Sequence, residues 1–444
     1  MQRNSQFSPA LSPKSGTESL RQYIIYKNNM LRKSILFLSV VPFALSAFAE
    51  DTANGAQAVT PSAAAEAAAP ASAPSATPEF ESDERLEEGF VTHYINNAIE
   101  KAMPAPASSG EMHYGRKVTD YVSAPKLGGY FIGKYAYTSQ EGKHSGTGFS
   151  QRLMRFYVDG KILGDFAYRI QVQTNNDKFH VKDYFLEWQK YPELRVKFGQ
   201  YKRAFGFENP MNPWDVGVGD YSQLTKLLTG HSDYIGAESS SNGGRDQGLQ
   251  LQGDLFPIGK DGHRLLHYQV MLANGQGINT SDADSRKDVL GTLQLQPVKG
   301  LFVGFFGWTG SFTDSRGVTV SRNRYMLSAK YDANDWTFRS EYAHSVGHKL
   351  SDYQADGTWT GDARADAWYA TVGVPCTPWL KTYVKYDVYR DGADWAKAKS
   401  IYSIAPNIHL HKNLMFQPQV NYVHDRSLAK ADYCEAWLEL YVRF

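Results

Sequence analysis

Only two cysteines, Cys376 and Cys434, occur in the chain, and after its first fifty residues it has no long apolar run. A mean hydropathy of -0.46 is too polar for a protein that crosses a membrane with helices. It does not exclude a transmembrane barrel, whose lipid-facing and lumen-facing residues alternate and so average out. Excess charge is also missing. At +1 the formal net charge gives no electrostatic footprint for nucleic acid, so no nucleic-acid partner is expected. Catalytic signatures are absent too: there is no Gly-x-Ser-x-Gly elbow, P-loop or zinc HExxH. His344 and His348 stand four apart at a strand end, which is not a metal spacing, and Asp282-Ala-Asp284 lacks the Gly and Glu of a calcium loop. His231, His263 and His267 have no evident catalytic partner. The expectation is a non-enzyme with no catalytic residue, cofactor or metal.

What is present begins with a targeting segment. Ile35 to Phe48 is apolar but too short to span a bilayer, follows Arg32 and Lys33, and ends in Ala47-Phe-Ala49. That pattern predicts a signal peptide over 30–49, cut after Ala49, with 1–29 read as a misassigned upstream start. Residues 50–80, rich in Ala, Pro, Ser and Thr, read as a disordered linker. Leu86, Phe90, Tyr94 and Ala98, four apart, predict a short helix over Glu81 to Met103, and 81–127 reads as a periplasmic helix and linker. From residue 128 to 444 a different rhythm takes over.

That rhythm is period two. Asp246 to Leu255 puts Gln247, Leu249, Leu251, Gly253 and Leu255 on one face, and Gly248, Gln250, Gln252 and Asp254 on the other. A strand with one apolar and one polar side lies between two different solvents. About sixteen segments alternate in this way, and their connections sort into tight turns and longer loops that themselves alternate. Sorting of this kind marks an outer-membrane barrel, and a soluble sandwich has no reason for it. An even strand count leaves both ends in the periplasm. The last strand carries Ala436, Leu438, Leu440, Val442 and Phe444 on its apolar face, with Glu435, Trp437, Glu439, Tyr441 and Arg443 opposite. The terminal aromatic, Phe444, resembles the signal read by the outer-membrane assembly machinery. Cys376 is expected in a periplasmic turn and Cys434 on the outer side, too far apart to bridge, so both should be free.

The longest connection, 202–245, has about 44 residues, a length that usually means function. Its flanks carry Gly199-Gln-Tyr-Lys202, Phe205-Gly-Phe207, Asn242-Gly-Gly-Arg-Asp246 and Gly248-Leu-Gln-Leu-Gln-Gly253. With these motifs the chain resembles the porin O and P family, the phosphate-selective porins of Gram-negative outer membranes, over roughly Gly128 to Phe444. The resemblance implies a 16-stranded, antiparallel, all-β transmembrane barrel, assembled as a homotrimer, whose third loop folds inward to narrow the pore. The partners it implies are outer-membrane lipid, the assembly machinery and small solutes or anions.

The residues themselves suggest how such a pore would work. Phe205, Phe207 and Trp214 are candidates to anchor the loop. Alternation puts Arg155, Arg169, Lys197, Arg339, Lys381 and Lys385 on the lumen side, with Lys202, Arg203 and Arg245 at the loop's roots. Rings of Arg and Lys favour anions. The family's phosphate channels carry an arginine ladder and a lysine cluster, and no dense basic run occurs here. The expectation is therefore a general diffusion porin with a mild anion or phosphate preference. The alternative is a receptor or adhesin acting through its outer loops, such as 345–365.

Overall fold

A computed structural model describes residues 123–143, 147–175, 178–236 and 243–444. The expected signal peptide, linker and Glu81–Met103 helix lie outside the described residues.

Sixteen strands follow one another along the chain. They are β1 (Lys126–Thr138), β2 (Gly148–Ile162), β3 (Phe166–Asn175), β4 (Lys178–Tyr191), β5 (Leu194–Lys202), β6 (Arg245–Ile258), β7 (His263–Ala273) and β8 (Asp288–Val298). The second half contributes β9 (Leu301–Thr313), β10 (Thr319–Ala333), β11 (Trp336–Gly347), β12 (Ala363–Thr377), β13 (Leu380–Asp391), β14 (Ala398–His411), β15 (Leu414–Asp425) and β16 (Asp432–Arg443). Each pairs antiparallel with its sequence neighbours, and β1 pairs with β16 to close a barrel. Closure removes every sheet edge, which satisfies the backbone in a solvent that offers no hydrogen bonds.

The seam shows how the chain end is used. Gly129 and Phe444 exchange both backbone hydrogen bonds, at 2.9 and 3.0 Å, and the Phe444 ring leans on Phe156 outside the wall. A Cβ on Gly129 would lie 2.6 Å from the Phe444 ring and 2.5 Å from the Arg155 carbonyl oxygen, so only glycine fits there.

Burial is inverted relative to a soluble protein. Leu438 and Leu440 are 47% and 41% exposed, whereas their neighbours Glu439 and Tyr441 are buried. The same alternation puts Leu249 and Leu251 outside with Gln250 and Gln252 inside, and Ile170 outside with Gln171 and Gln173 inside. An apolar outer wall around a polar interior is the arrangement of a transmembrane barrel. The turns at one end have two to four residues, and the third loop at the other end runs from 203 to 244.

One local expectation needs correction. Cys376 lies inside β12 and not in the following turn, because the pairing with β13 slips between Pro375 and Thr377 and leaves Cys376 as the extra residue. It stays at the turn end of the barrel, and both cysteines are free and exposed.

Candidate pore constriction

The third loop crosses the barrel interior, held at each step by a wall side chain. Just after β5, Phe205 and Phe207 pack edge-on against Phe306, with Trp308 beyond the first ring and Phe302 beyond the second. The Glu341 carboxylate on β11 then accepts from the backbone N–H groups of Phe207 and Glu208, at 2.7 and 2.8 Å. It also accepts from Ser328 Oγ and from the Tyr369 hydroxyl. Further on, Trp214 stands perpendicular to Tyr441 of β16 at 5.7 Å. Gly219 N donates to Gln419 Oε1, and Gln417 Nε2 donates to the Gly217 carbonyl, so the loop's far bend is tied to β15.

The return leg starts with one short helix, α1 (Gln223–Leu228), capped by Ser222, whose side chain accepts from Thr225 N. Gln223 N donates to Asp387 of β13 at 2.9 Å. Inside the loop, Glu208 accepts from Ser222 N, Ser222 Oγ and Thr225 Oγ1, which ties the outgoing and returning legs together. Gly243 and Gly244 close the loop with φ of 58° and 68°, the left-handed region, and a Cβ on Gly244 would lie 2.0 Å from Asn209 Oδ1. This accounts for the paired glycines of the Asn-Gly-Gly motif.

Three arginines form the loop's second fixture. The guanidinium groups of Arg203, Arg322 and Arg324 lie 4.8, 4.7 and 4.4 Å from the centroid of the Trp308 ring. Each meets its own carboxylate: Asp246 at 2.5 Å, Asp288 at 2.7 Å, and Asp233. Arg324 also donates to the carbonyls of Leu228 and Ile235, so it holds the returning leg directly. The three pairs are completely buried and compensated one for one. Arg203 is therefore a fastener, enclosed away from any passing solute.

The opposite wall, β1 to β6, carries a different balance. Lys134, Arg152, Arg155, Lys182, Lys202, Arg245 and, from α1, Lys226 gather there. Among the described residues their ion pairs include Asp183, Asp220 and Glu439: Arg245–Asp183 2.7 Å, Arg152–Glu439 3.0 Å, Arg152–Asp220 3.6 Å, Lys134–Glu439 3.6 Å and Lys226–Asp220 2.5 Å. Arg155 donates instead to neutral partners, Gln173 Oε1 and the Tyr130 hydroxyl. Lys202 donates to the carbonyls of Asn209 and Met211. Two loop groups register this surplus. Burial opposes the charge on Asp220, yet Lys226 and Arg152 hold its carboxyl below the usual range. His231 is kept neutral by burial first, and then by Lys202, Arg245 and Lys182.

Side-chain exposure separates the accessible charges from the enclosed ones. Lys226 and Asp220 keep 39% and 33% of their side-chain surface, and Arg152 and Lys134 about half as much (14% and 15%). Arg155, Lys182 and Arg245 lie just behind them, buried. The other sequence candidates are scattered. Arg169 is paired with Asp159 toward the turn end, Lys197 with Glu187, and Lys381 donates to Thr337. Arg339 is buried 3.9 Å from Glu208, and Lys385 donates to the Asp220 carbonyl.

Alternation misses Arg152 and Lys182, and both for one reason. The β1–β2 register slips opposite Ile132 and Gly133 and leaves Arg152 over; the β3–β4 register slips opposite Gln171 and Val172 and leaves Lys182 over. Each is the extra residue of a β-bulge, a device that re-aims a side chain. Both turn inward beside an inward neighbour, Leu153 and Asp183.

The closed barrel with its inward loop is similar to solved outer-membrane proteins. An anion-selective porin from Comamonas acidovorans superposes with a TM-score of 0.53 at 11% identity, over 72% of this chain and 99% of that one. OmpF of Salmonella typhi, in complex with daunomycin, gives 0.51 at 14% identity, over 72% and 97%. The fold is the porin fold. DcaP, an outer membrane channel of Acinetobacter baumannii, shares this porin fold at 0.50 and 12% identity, over 74% and 99%. No protein-family model matches the chain, and no curated protein matches it in sequence.

Proposed function

We propose that the chain is an outer-membrane porin, a water-filled diffusion channel for small hydrophilic solutes with a preference for anions. The carrying observation is the basic lane: among the described residues, basic side chains outnumber the carboxylates they meet between the loop edge and the β1–β6 wall, with Arg155 and Lys202 donating to neutral groups, while the arginines on the other side of the loop each pair with a carboxylate. A charge surplus beside a low-dielectric wall concentrates counter-ions and sets the sign of selectivity. The lane supports the resemblance to the phosphate-selective porins in charge, through residues that are dispersed in the sequence. In a planar bilayer under a salt gradient, the zero-current potential should take the sign of an anion-preferring channel, and added phosphate should lower chloride conductance. A cation-preferring potential would end the reading.

The same proposal places the long loops outside the cell, both barrel ends in the periplasm, and three copies in the assembly. Support for a second copy comes from β2, β4 and β5, where Phe149, Phe179 and Phe198 stand 91%, 68% and 68% exposed. Such protruding rings, which have no hydroxyl for the membrane interface, suit a protein partner. Sizing in mild detergent should give three chains, collapsing to one on heating; a single chain throughout would overturn the trimer.

A further inference from the structure

We propose that the far bend of the third loop, together with Arg152, is an internal clasp on the β1–β16 seam. The segment that crosses the lumen then also holds the barrel shut. Such a clasp needs only the closed barrel, whichever ions pass.

The seam is the junction with most to lose. Strands that follow one another in the chain are joined by a turn or loop, so a broken ladder between them leaves both strands tethered. β1 and β16 stand at opposite ends of the barrel sequence, and no connection links them. Bringing such distant strands together costs chain entropy. An opened seam also presents two unpaired edges to hydrocarbon, where every unmet backbone group is expensive.

On the lumen side this junction is covered. Tyr130 and Ile132 of β1, Leu153 of β2, Met415 of β15 and Tyr441 of β16 form one buried apolar cluster, and Trp214 of the loop completes it. An apolar cluster is out of place on a wall whose inner face is polar, and this one straddles the seam. Polar fixings run across it. Arg152, on the β2 bulge, reaches past β1 to β16, where Nη1 donates to Glu439 at 3.0 Å and to the Tyr441 hydroxyl at 3.1 Å. Lys134 of β1 meets the same Glu439 at 3.6 Å. One carboxylate of β16 thus gathers cations from β1 and β2.

The loop bend grips this assembly from both sides. Asp220 meets Arg152 of β2 at 3.6 Å. Across the seam, the Arg443 guanidinium covers the Trp214 ring at 4.4 Å and meets Asp215 at 3.4 Å. Gly217 and Gly219 are tied to Gln417 and Gln419 of β15 at 3.0 and 2.6 Å. A segment bonded to β2 on one side and to β15 and β16 on the other must release one side before the seam parts. Hydrogen bonds with a charged partner are the strong kind, and Arg152 supplies them at the centre. The ladder by itself keeps the barrel closed at ambient temperature; the clasp governs how long it withstands heating.

The rate at which purified full-length protein in detergent loses its folded gel band at a fixed high temperature tests the clasp. A removable staple adds the discriminating arm: Tyr137→Cys with Ala436→Cys, in a Cys376→Ser/Cys434→Ser background. The two positions are hydrogen-bonded partners across the seam, and the Cα spacing of such pairs, about 5.5 Å, suits a disulfide. With the staple reduced, Arg152→Met and Trp214→Ala should each lose the folded band about tenfold faster than the parent. Trp214→Ala leaves the cross-seam ion pairs in place, so it tests the loop's part by itself. With the staple oxidised, both variants should return to within about twofold of the oxidised parent. Arg324→Met, which frees the returning leg on the far wall, should gain no more from the staple than the parent does. Unchanged rates in both seam variants would overturn the clasp, as would a loss that the oxidised staple fails to restore or an equal rescue of Arg324→Met. A barrel with the expected rates but a cation-preferring potential keeps the clasp and loses the anion preference alone.

Discussion

Replacing Arg152 and Lys182 together by glutamate should abolish the anion preference. The change moves the lane's charge balance by four units toward the negative side. Adding Lys134→Glu moves it by two more, and the sign of the zero-current potential should invert. A tenfold permeability ratio needs only ~1.4 kcal/mol of differential stabilisation, well within what a few uncompensated charges supply at a poorly hydrated wall. Charge reversal at Lys299, an exposed residue in a turn, adds charge of the same sign away from the lane and should leave the ratio nearly unchanged. If the double variant keeps the wild-type ratio, the lane does not set selectivity and the solute passes elsewhere in the lumen.

The second large effect is mechanical. Glu341→Ala removes the acceptor for two backbone N–H groups of the loop, for Ser328 and for Tyr369. Hydrogen bonds to a charged acceptor contribute about 1.5–3 kcal/mol each, so the two backbone bonds alone hold the outgoing leg by about 3–6 kcal/mol. The loop should come off β11, with single-channel conductance rising about twofold and the open-state current becoming noisy. Glu341→Gln keeps the shape and part of the accepting capacity and should fall between. The barrel's β-sheet circular dichroism should not change, because the wall's hydrogen-bond ladder does not involve this carboxylate. Quiet, wild-type conductance in the alanine variant would mean that the Trp308 arginines hold the loop without help.

These two sites differ in how far the sequence revealed them. Strand positions and facing were legible wherever water lies on one side and lipid on the other, since that contrast forces period two through runs such as Leu249 to Gln252. Phe205, Phe207 and Trp214 were visible as apolar residues in an otherwise polar loop, though their ring partners lie on β9 and β16. The fates of Arg203 and Arg245 were not legible. Their carboxylates, Asp246 and Asp183, lie 43 and 62 residues away, and the pairing of β4, β5 and β6 brings them together. Arg152 and Lys182 were hidden because a bulge shifts the phase that alternation assumes. A trace of each did exist. Lys182 and Asp183 are adjacent charges in a strand whose flanks face lipid, and Arg152 and Arg155 have opposite parity on one strand; strict alternation would strand one of each pair in hydrocarbon.

The bulges also bear on how such a channel can diverge. A residue that stands outside the pairing ladder can be exchanged, or even deleted, without turning its neighbours to the other face. Deletion simply restores regular pairing, whereas loss of a laddered residue would flip every side chain beyond it. The permeation path can therefore acquire or lose a charge one codon at a time while the lipid-facing surface stays fixed, so descendants of this barrel can differ in what they pass without differing in how they fold.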